Sequence, residues 1–417
     1  MAVKIRYIIP NGVARPWIWR LQTLETCVSV HPALNTLRPE ASQAPESGIV
    51  EVFNYGRDRQ GLIPLWVGEG DLPTPGFISE AAQAGLTAGE TFYTHQRGIP
   101  ELRQALAGYH ARLYGRPFDP ERFFVTSGGM PAIQIALRMV AGHGDEVVVP
   151  TPAWPNFAAA AEVGAAKVVE VPLTYGNAGW TLDLDRYFEA VTPRTKALFL
   201  NSPCNPTGWT ATRDELQAIL DFARARGLWI ISDEVYTRFF YEGERSPSFY
   251  DIAEPDDRIL YVNTMSKNWA MTGWRVGWLS APPAFGQVIE NLVQYSSSGT
   301  PKFLQRGAVA ALEQGDAFID FQRQRAVEAR EIVCSGLEKT GRIRLVRPAG
   351  AFYAFFSVDG EPDTRKLALR LVDEANVGLA PGDAFGAGGA GFMRLCYLRN
   401  LDQIREATRR LAEWLAK

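Results

Sequence analysis

The sequence predicts an α/β fold: a large domain with a mostly parallel sheet flanked by helices, joined to a smaller α+β domain formed by both chain ends. Two patterns carry this expectation. Between Arg122 and Ser280 a short apolar run recurs, each ending in a small or polar residue and feeding a helix-like segment, the rhythm of crossover units in a parallel sheet. After about Thr300 that rhythm gives way to long charged, Ala-rich helical stretches and two short apolar runs.

The apolar runs of the large domain are Phe123-Phe124-Val125, Val147-Val148-Val149, Ala197-Leu198-Phe199-Leu200, Leu228-Trp229-Ile230-Ile231, Ile259-Leu260-Tyr261-Val262 and Val276-Gly277-Trp278-Leu279. Most stand roughly 25 to 35 residues apart, enough for a helix to carry the chain back. The C-terminal part reads as helix from Ala308 to Thr340, strands at Gly350–Phe356 and Phe392–Tyr397, and a closing helix from Leu401 to Lys417. The expected division is an extension over residues 1–36, a first part of the small domain over 37–74, a large domain over 75–305, and the rest of the small domain over 306–417. The extension carries Lys4, Arg6, Arg15 and Arg20 with Trp17 and Trp19 but lacks the continuous apolar core of a secretory signal, so it reads as a poorly ordered or loosely docked arm.

Composition narrows the classes further. The chain has 417 residues, 46% apolar and 21% charged, with a net charge of −3, which gives no general attraction to nucleic acid or membrane. No apolar run approaches the roughly 18 to 20 residues that cross a bilayer, so the chain reads as soluble. Cys27, Cys204, Cys334 and Cys396 lie far apart without metal-ligand spacing, which argues against disulfides and zinc and favours a reducing cytoplasm.

In a parallel sheet, ligands gather beyond the carboxyl ends of the strands, so the residues after each run should converge. Those positions are Ser127-Gly128-Gly129, Trp154, Asn205, Asp233 with Tyr236, and Lys267. Lys267 follows a strand-like run and stands eight residues before Arg275, with Thr264 and Ser266 beside it. An amine buried there loses part of its preference for charge and suits an aldehyde cofactor, while Arg275 suits a phosphate. Gly128, Gly129 and Met130 precede an apolar helix opened by Pro131, and their free N–H groups would face an anion, although a plain tight turn explains them equally well in isolation.

Asp233 ends a very apolar strand, where an ionised carboxylate needs a partner such as a protonated pyridine nitrogen; helix capping is the ordinary alternative. Tyr236, one turn later, can face the same cavity. Asn205 lies in the rigid loop Asn201-Ser202-Pro203-Cys204-Asn205-Pro206-Thr207-Gly208, in which an X-Pro bond could be cis. Trp154 could stack on a heteroaromatic ring, and a core role is its ordinary alternative. Arg394, in a strand-like apolar frame, is matched to bidentate capture of a carboxylate or to a salt bridge between domains.

Together, from about residue 37 to 417, these motifs resemble the class I and II aminotransferases, the pyridoxal-phosphate enzymes of the aspartate aminotransferase fold. The resemblance implies pyridoxal 5'-phosphate as cofactor and transfer of an amino group from an L-amino acid to a 2-oxo acid. It also implies roles for individual residues. Lys267 is then the Schiff-base lysine and proton carrier, Asp233 the partner of the pyridine nitrogen, Asn205 and Tyr236 the contacts of the ring oxygen, and Trp154 the stacking ring. Thr264, Ser266, Arg275 and the Gly128 to Met130 amides surround the phosphate, and Arg394 holds the substrate α-carboxylate. Tyr93 resembles the tyrosine that reaches a partner subunit's phosphate, implying a homodimer, and Gly68 resembles the segment that folds over substrate.

Val293–Pro301 contains no arginine and Met130 stands where some aspartate-specific members carry lysine, so the expectation is an apolar or broad donor range, which Lys302 or the N-terminal residues could reverse. Ile63–Asp71 also looks somewhat like the pyridoxal-phosphate lyases that split carbon–sulfur bonds, the alternative activity. A transcription regulator on this scaffold would need a DNA-binding domain in front, and 36 residues cannot supply its core.

Overall fold

The computed structural model describes residues 32–417; most of the expected extension, with Cys27, lies outside the described residues. A seven-stranded sheet runs in the order Phe123–Thr126, Gly277–Ser280, Ile259–Thr264, Trp229–Asp233, Thr195–Asn201, Glu146–Thr151, Lys167–Pro172. Only Gly277–Ser280 is antiparallel to its neighbours. The fold is therefore the expected mostly parallel α/β arrangement.

Strand alternation distributes the apolar residues to two layers, as the pleat requires. Ile230 and Tyr261 face one core with the helix Arg213–Arg226, whereas Ile231, Leu260 and Val262 face the opposite core with Gly129–Val140 and Pro155–Val163. Helices on both faces leave the strands without a wet side, which explains their near-continuous apolar runs. The edge strand Lys167–Pro172 escaped the sequence reading because its exposed Lys167, half-buried Val168 and Val169, and exposed Glu170 break such a run.

Downstream, the antiparallel order Ile343–Arg344, Tyr353–Val358, Phe392–Cys396, Ala380–Pro381 makes a second sheet, with helices Asp316–Glu338 and Leu401–Leu415 packed together beside it. The stretch read as helical from Ala308 is two helices, Lys302–Gln314 and Asp316–Glu338. They break at Gly315, where a Cβ would collide with the Ala311 carbonyl and the Trp269 indole. Lys302–Gln314 spans the boundary expected at residue 305 and packs on Gly76–Thr87.

The N-terminal part joins the second sheet. Ile63–Pro64 pairs in parallel with Val377–Gly378, Leu65 N–H donates to Gly378 O at 2.8 Å, and Cys396 N–H donates to Leu65 O at 2.9 Å. This pairing brings residues 66–74 across the carboxyl ends of the large sheet.

Candidate active site

Beyond those strand ends lies a cavity of about 570 Å³. Gly129, Met130, Trp154, Asn205, Asp233, Tyr236, Thr264, Ser266, Lys267, Arg275, Gly68 and Arg394 all line it. Gly128 stands directly behind Arg275, and Tyr93 lies elsewhere, 95% exposed beside a different surface hollow.

One end of the cavity is built to hold an anion. The helix Gly129–Val140 starts there, preceded by Gly128 at φ +108°, a conformation open to glycine and costly for other residues. Its first N–H groups have no partner within the helix, and the helix dipole adds positive potential. A Cβ on Gly128 would collide with the Arg275 guanidinium, so the glycine lets arginine and helix start approach closely. Arg275 donates to Thr272 O at 2.8 Å and forms no ion pair with a carboxylate among the described residues. Thr264 Oγ1 and Ser266 Oγ, 2.9 Å apart, add hydroxyls beside it.

Lys267 keeps some exposure to the cavity, yet protein encloses it closely enough that lost hydration pulls its amine down to about 8. Its Nζ donates to Gly68 O at 2.8 Å. Asp233, at the end of its strand, is buried and accepts one N–H, from Val235 at 3.3 Å. Burial raises its carboxyl to about 7, against the pull of the Val235 N–H and the Lys267 charge. A cationic N–H in the cavity would hold Asp233 ionised.

The proline-rich loop locks onto this strand. Asn201 Nδ2 donates to Asp233 O at 3.1 Å, and its Oδ1 accepts from Asn205 N at 2.9 Å. Both X-Pro bonds of the loop, Ser202-Pro203 and Asn205-Pro206, are cis. Asn205 Oδ1 accepts from Arg394 Nη1 at 3.0 Å, which leaves its amide N–H groups without a partner among the described residues.

Arg394 is 2% exposed and lacks a carboxylate partner among the described residues. Its guanidinium donates to Asn205 and to the Trp66 carbonyl and lies 4.7 Å over the Tyr353 ring and 4.8 Å over that of Phe385. Its Nε–H is buried and unpartnered among the described residues. A desolvated, incompletely satisfied arginine is a strong receptor for a carboxylate. The salt bridge between domains, the alternative to carboxylate capture, does not form among the described residues: the rings of Tyr353 and Phe385 flank the Arg394 guanidinium.

Several lining residues escaped the sequence reading. The helix Gly48–Gly56 buries Val52 and Gly56 and turns Ile49, Val50 and Phe53 to the cavity, with Phe53 edge-on to Trp66 at 5.9 Å between ring centres. Nothing local marks those three as site residues, since they arrive through pairing of distant segments. Tyr353, whose hydroxyl lies 2.7 Å from that of Tyr236, was hidden inside the apolar strand; a lone phenol in Ala351-Phe352-Tyr353-Ala354-Phe355-Phe356 was the available signal. Lys302, the cation that could have served a distal carboxylate, is held by Glu90 at 2.8 Å, outside the cavity.

An unpaired anion cradle, a softened lysine and a carboxyl awaiting a cationic N–H suit pyridoxal phosphate. Residues 61–411 match the class I and II aminotransferase family. The chain is 33% identical to an aspartate aminotransferase of Pyrococcus horikoshii, over 88% of this chain and 94% of that one. It is 36% identical to the arginine–pyruvate transaminase AruH of Pseudomonas aeruginosa, over 84% and 89% respectively. Among solved structures, the aromatic aminotransferase of Pyrococcus horikoshii superposes with a TM-score of 0.81 at 33% identity, covering 87% of this chain and 98% of that one. The chain belongs to the class I and II aminotransferases. It is a pyridoxal-phosphate-dependent aminotransferase, acting on amino acids and 2-oxo acids.

Proposed function

We propose that the favoured donors of this enzyme carry apolar side chains and that the cavity residues divide the work as follows. Pyridoxal phosphate, when bound, supplies an aldehyde that condenses with amines and a cationic ring that accepts an electron pair. Lys267 holds the cofactor at rest and, once freed, moves the α-proton at Nζ; a pKa near 8 supplies some neutral amine at neutral pH. Asp233 keeps the proton on the ring nitrogen, Asn205 and Tyr236 face the ring's phenolic oxygen, and Trp154 covers the ring. Gly128, Gly129, Met130, Thr264, Ser266 and Arg275 hold the phosphate. Arg394 takes the α-carboxylate, and the segment at Gly68 closes over the substrate and excludes water.

The reading rests on one observation: a single cavity gathers three cations, Lys267, Arg275 and Arg394, and none of the three is paired with a carboxylate among the described residues. Two of them match the cofactor phosphate and the substrate α-carboxylate. With the third reserved for chemistry, no cation among the described residues of the cavity remains for a second carboxylate, and the side-chain wall is Ile49, Val50, Phe53 and Trp66. Burying an unpaired carboxylate there would cost several kcal/mol.

The working unit in this proposal is a homodimer, with Tyr93 serving the partner's phosphate; Phe92 and Tyr295, 84% and 83% exposed, are apolar surface for that contact. The domains divide at about residue 74 and at the Gly315 break, beyond the expected 305, and free, separated Cys204, Cys334 and Cys396 favour a cytoplasmic home. Among the described residues no helix is long and apolar enough to cross a membrane.

The test is a single-turnover screen that follows the visible band of the bound cofactor with each L-amino acid. Leucine, methionine and phenylalanine should discharge it faster than aspartate. Preference for aspartate would refute the apolar donor range, and hydride reduction that tagged a lysine other than Lys267 would refute the assignment of roles.

A further inference from the structure

Tyr353 touches three parts of the cavity at once. Its hydroxyl lies 2.7 Å from the Tyr236 hydroxyl, its ring carries the Arg394 guanidinium at 4.7 Å, and a Cβ on Gly68 would collide with its oxygen. The strand Tyr353–Val358 is paired along its length with Phe392–Cys396, so Tyr353 and Arg394 are fixed on adjacent strands. The residue is fully buried, and its ring packs edge-on against Tyr236 at 5.8 Å.

A phenol has one proton to give. Burial pushes both Tyr236 and Tyr353 above the ordinary phenol range, so both are neutral and one of them donates across the 2.7 Å contact. If Tyr236 gave its proton to Tyr353, it could not donate to a ligand oxygen in the cavity. If Tyr353 donates instead, the Tyr236 proton is free, and its oxygen, already accepting, becomes the stronger donor.

We propose that Tyr353 is a positioning residue for the aminotransferase reaction: its hydroxyl donates to Tyr236 and turns the Tyr236 proton toward the cofactor's phenolic oxygen, while its ring sets the guanidinium of Arg394. This rests on the proposed role of Tyr236. One side chain thereby ties the cofactor contact in the large sheet to the carboxylate receptor in the small one, and Gly68 is the residue small enough to lie against it.

The experiment compares holoenzymes carrying Tyr353→Phe, Tyr236→Phe and both substitutions, reading the pH midpoint at which the visible cofactor band changes. A donor facing the phenolic oxygen favours the less protonated chromophore, so weakening it should move the midpoint upward. Tyr353→Phe should shift it by about half a pH unit, the scale of one weakened neutral hydrogen bond. Tyr236→Phe should shift it further, and the double variant should match Tyr236→Phe alone, because the two act in series. Since phenylalanine keeps the ring beneath Arg394, Tyr353→Phe should lower kcat with KM for the donor amino acid within about twofold. An unmoved midpoint in Tyr353→Phe beside a shifted one in Tyr236→Phe would overturn the relay alone. An unmoved midpoint in Tyr236→Phe would overturn the role of Tyr236, and the relay with it. A lower melting temperature with no change in midpoint would reduce Tyr353 to a packing residue.

Discussion

The two ends of the cavity are made in different ways. The cofactor end is assembled from residues that end or follow strands of one sheet: Thr264 closes Ile259–Thr264, and Ser266, Lys267 and Arg275 lie in its connection to Gly277–Ser280. The substrate end is assembled from separate places: helix Gly48–Gly56, Trp66, Tyr353 and Arg394. A rigid parallel sheet fixes the first, and pairing between chain ends fixes the second. The cofactor end should therefore tolerate little change, and the substrate end should tune preference.

The sharpest way to break this contrast is Lys267→Ala, expected to lower turnover by about ten-thousand-fold, the upper scale of a lost proton carrier, while pyridoxal phosphate still binds loosely. Near-normal turnover would remove the lysine from the chemistry. At the opposite end, Arg394→Ala should raise KM for every donor about a hundredfold, as expected for a buried receptor of charge. An effect confined to one class of donor would show that it reads the side chain instead. Phe53→Ala should alter preference alone, costing phenylalanine about tenfold in kcat/KM and alanine little. Equal losses on both would merge the two ends into one. The smallest effect concerns loading: as pH rises through about 8, Lys267 gives up its proton, and the neutral fraction grows about fivefold between pH 7 and pH 8. The rate at which apoprotein captures pyridoxal phosphate should rise accordingly, and a flat profile would count against the lowered amine.

The same contrast explains what could be read in the chain. Gly128, Asp233 and Lys267 stand where apolar runs stop, so period and interruption alone point to them. Ile49, Val50 and Phe53 look like any amphipathic turn until the pairing of Ile63–Pro64 with Val377–Gly378 brings their helix to the cavity. The break at Gly315 was partly hidden, because beside the local Ala311 carbonyl the need for glycine comes from the Trp269 indole, far away in sequence. Arg394 was visible as a charge in an apolar frame, whereas its aromatic bed of Tyr353 and Phe385 was a matter of tertiary packing.

The guanidinium of Arg394, buried and without an acidic neighbour among the described residues, has a practical corollary. Small anions in an assay mixture, acetate or formate above all, meet a receptor shaped for their head group, and should behave as competitors of the amino acid. Rates collected in carboxylate buffers would then understate the enzyme, and a change to a tertiary-amine buffer of low chloride, which cannot condense with the cofactor aldehyde, should restore them.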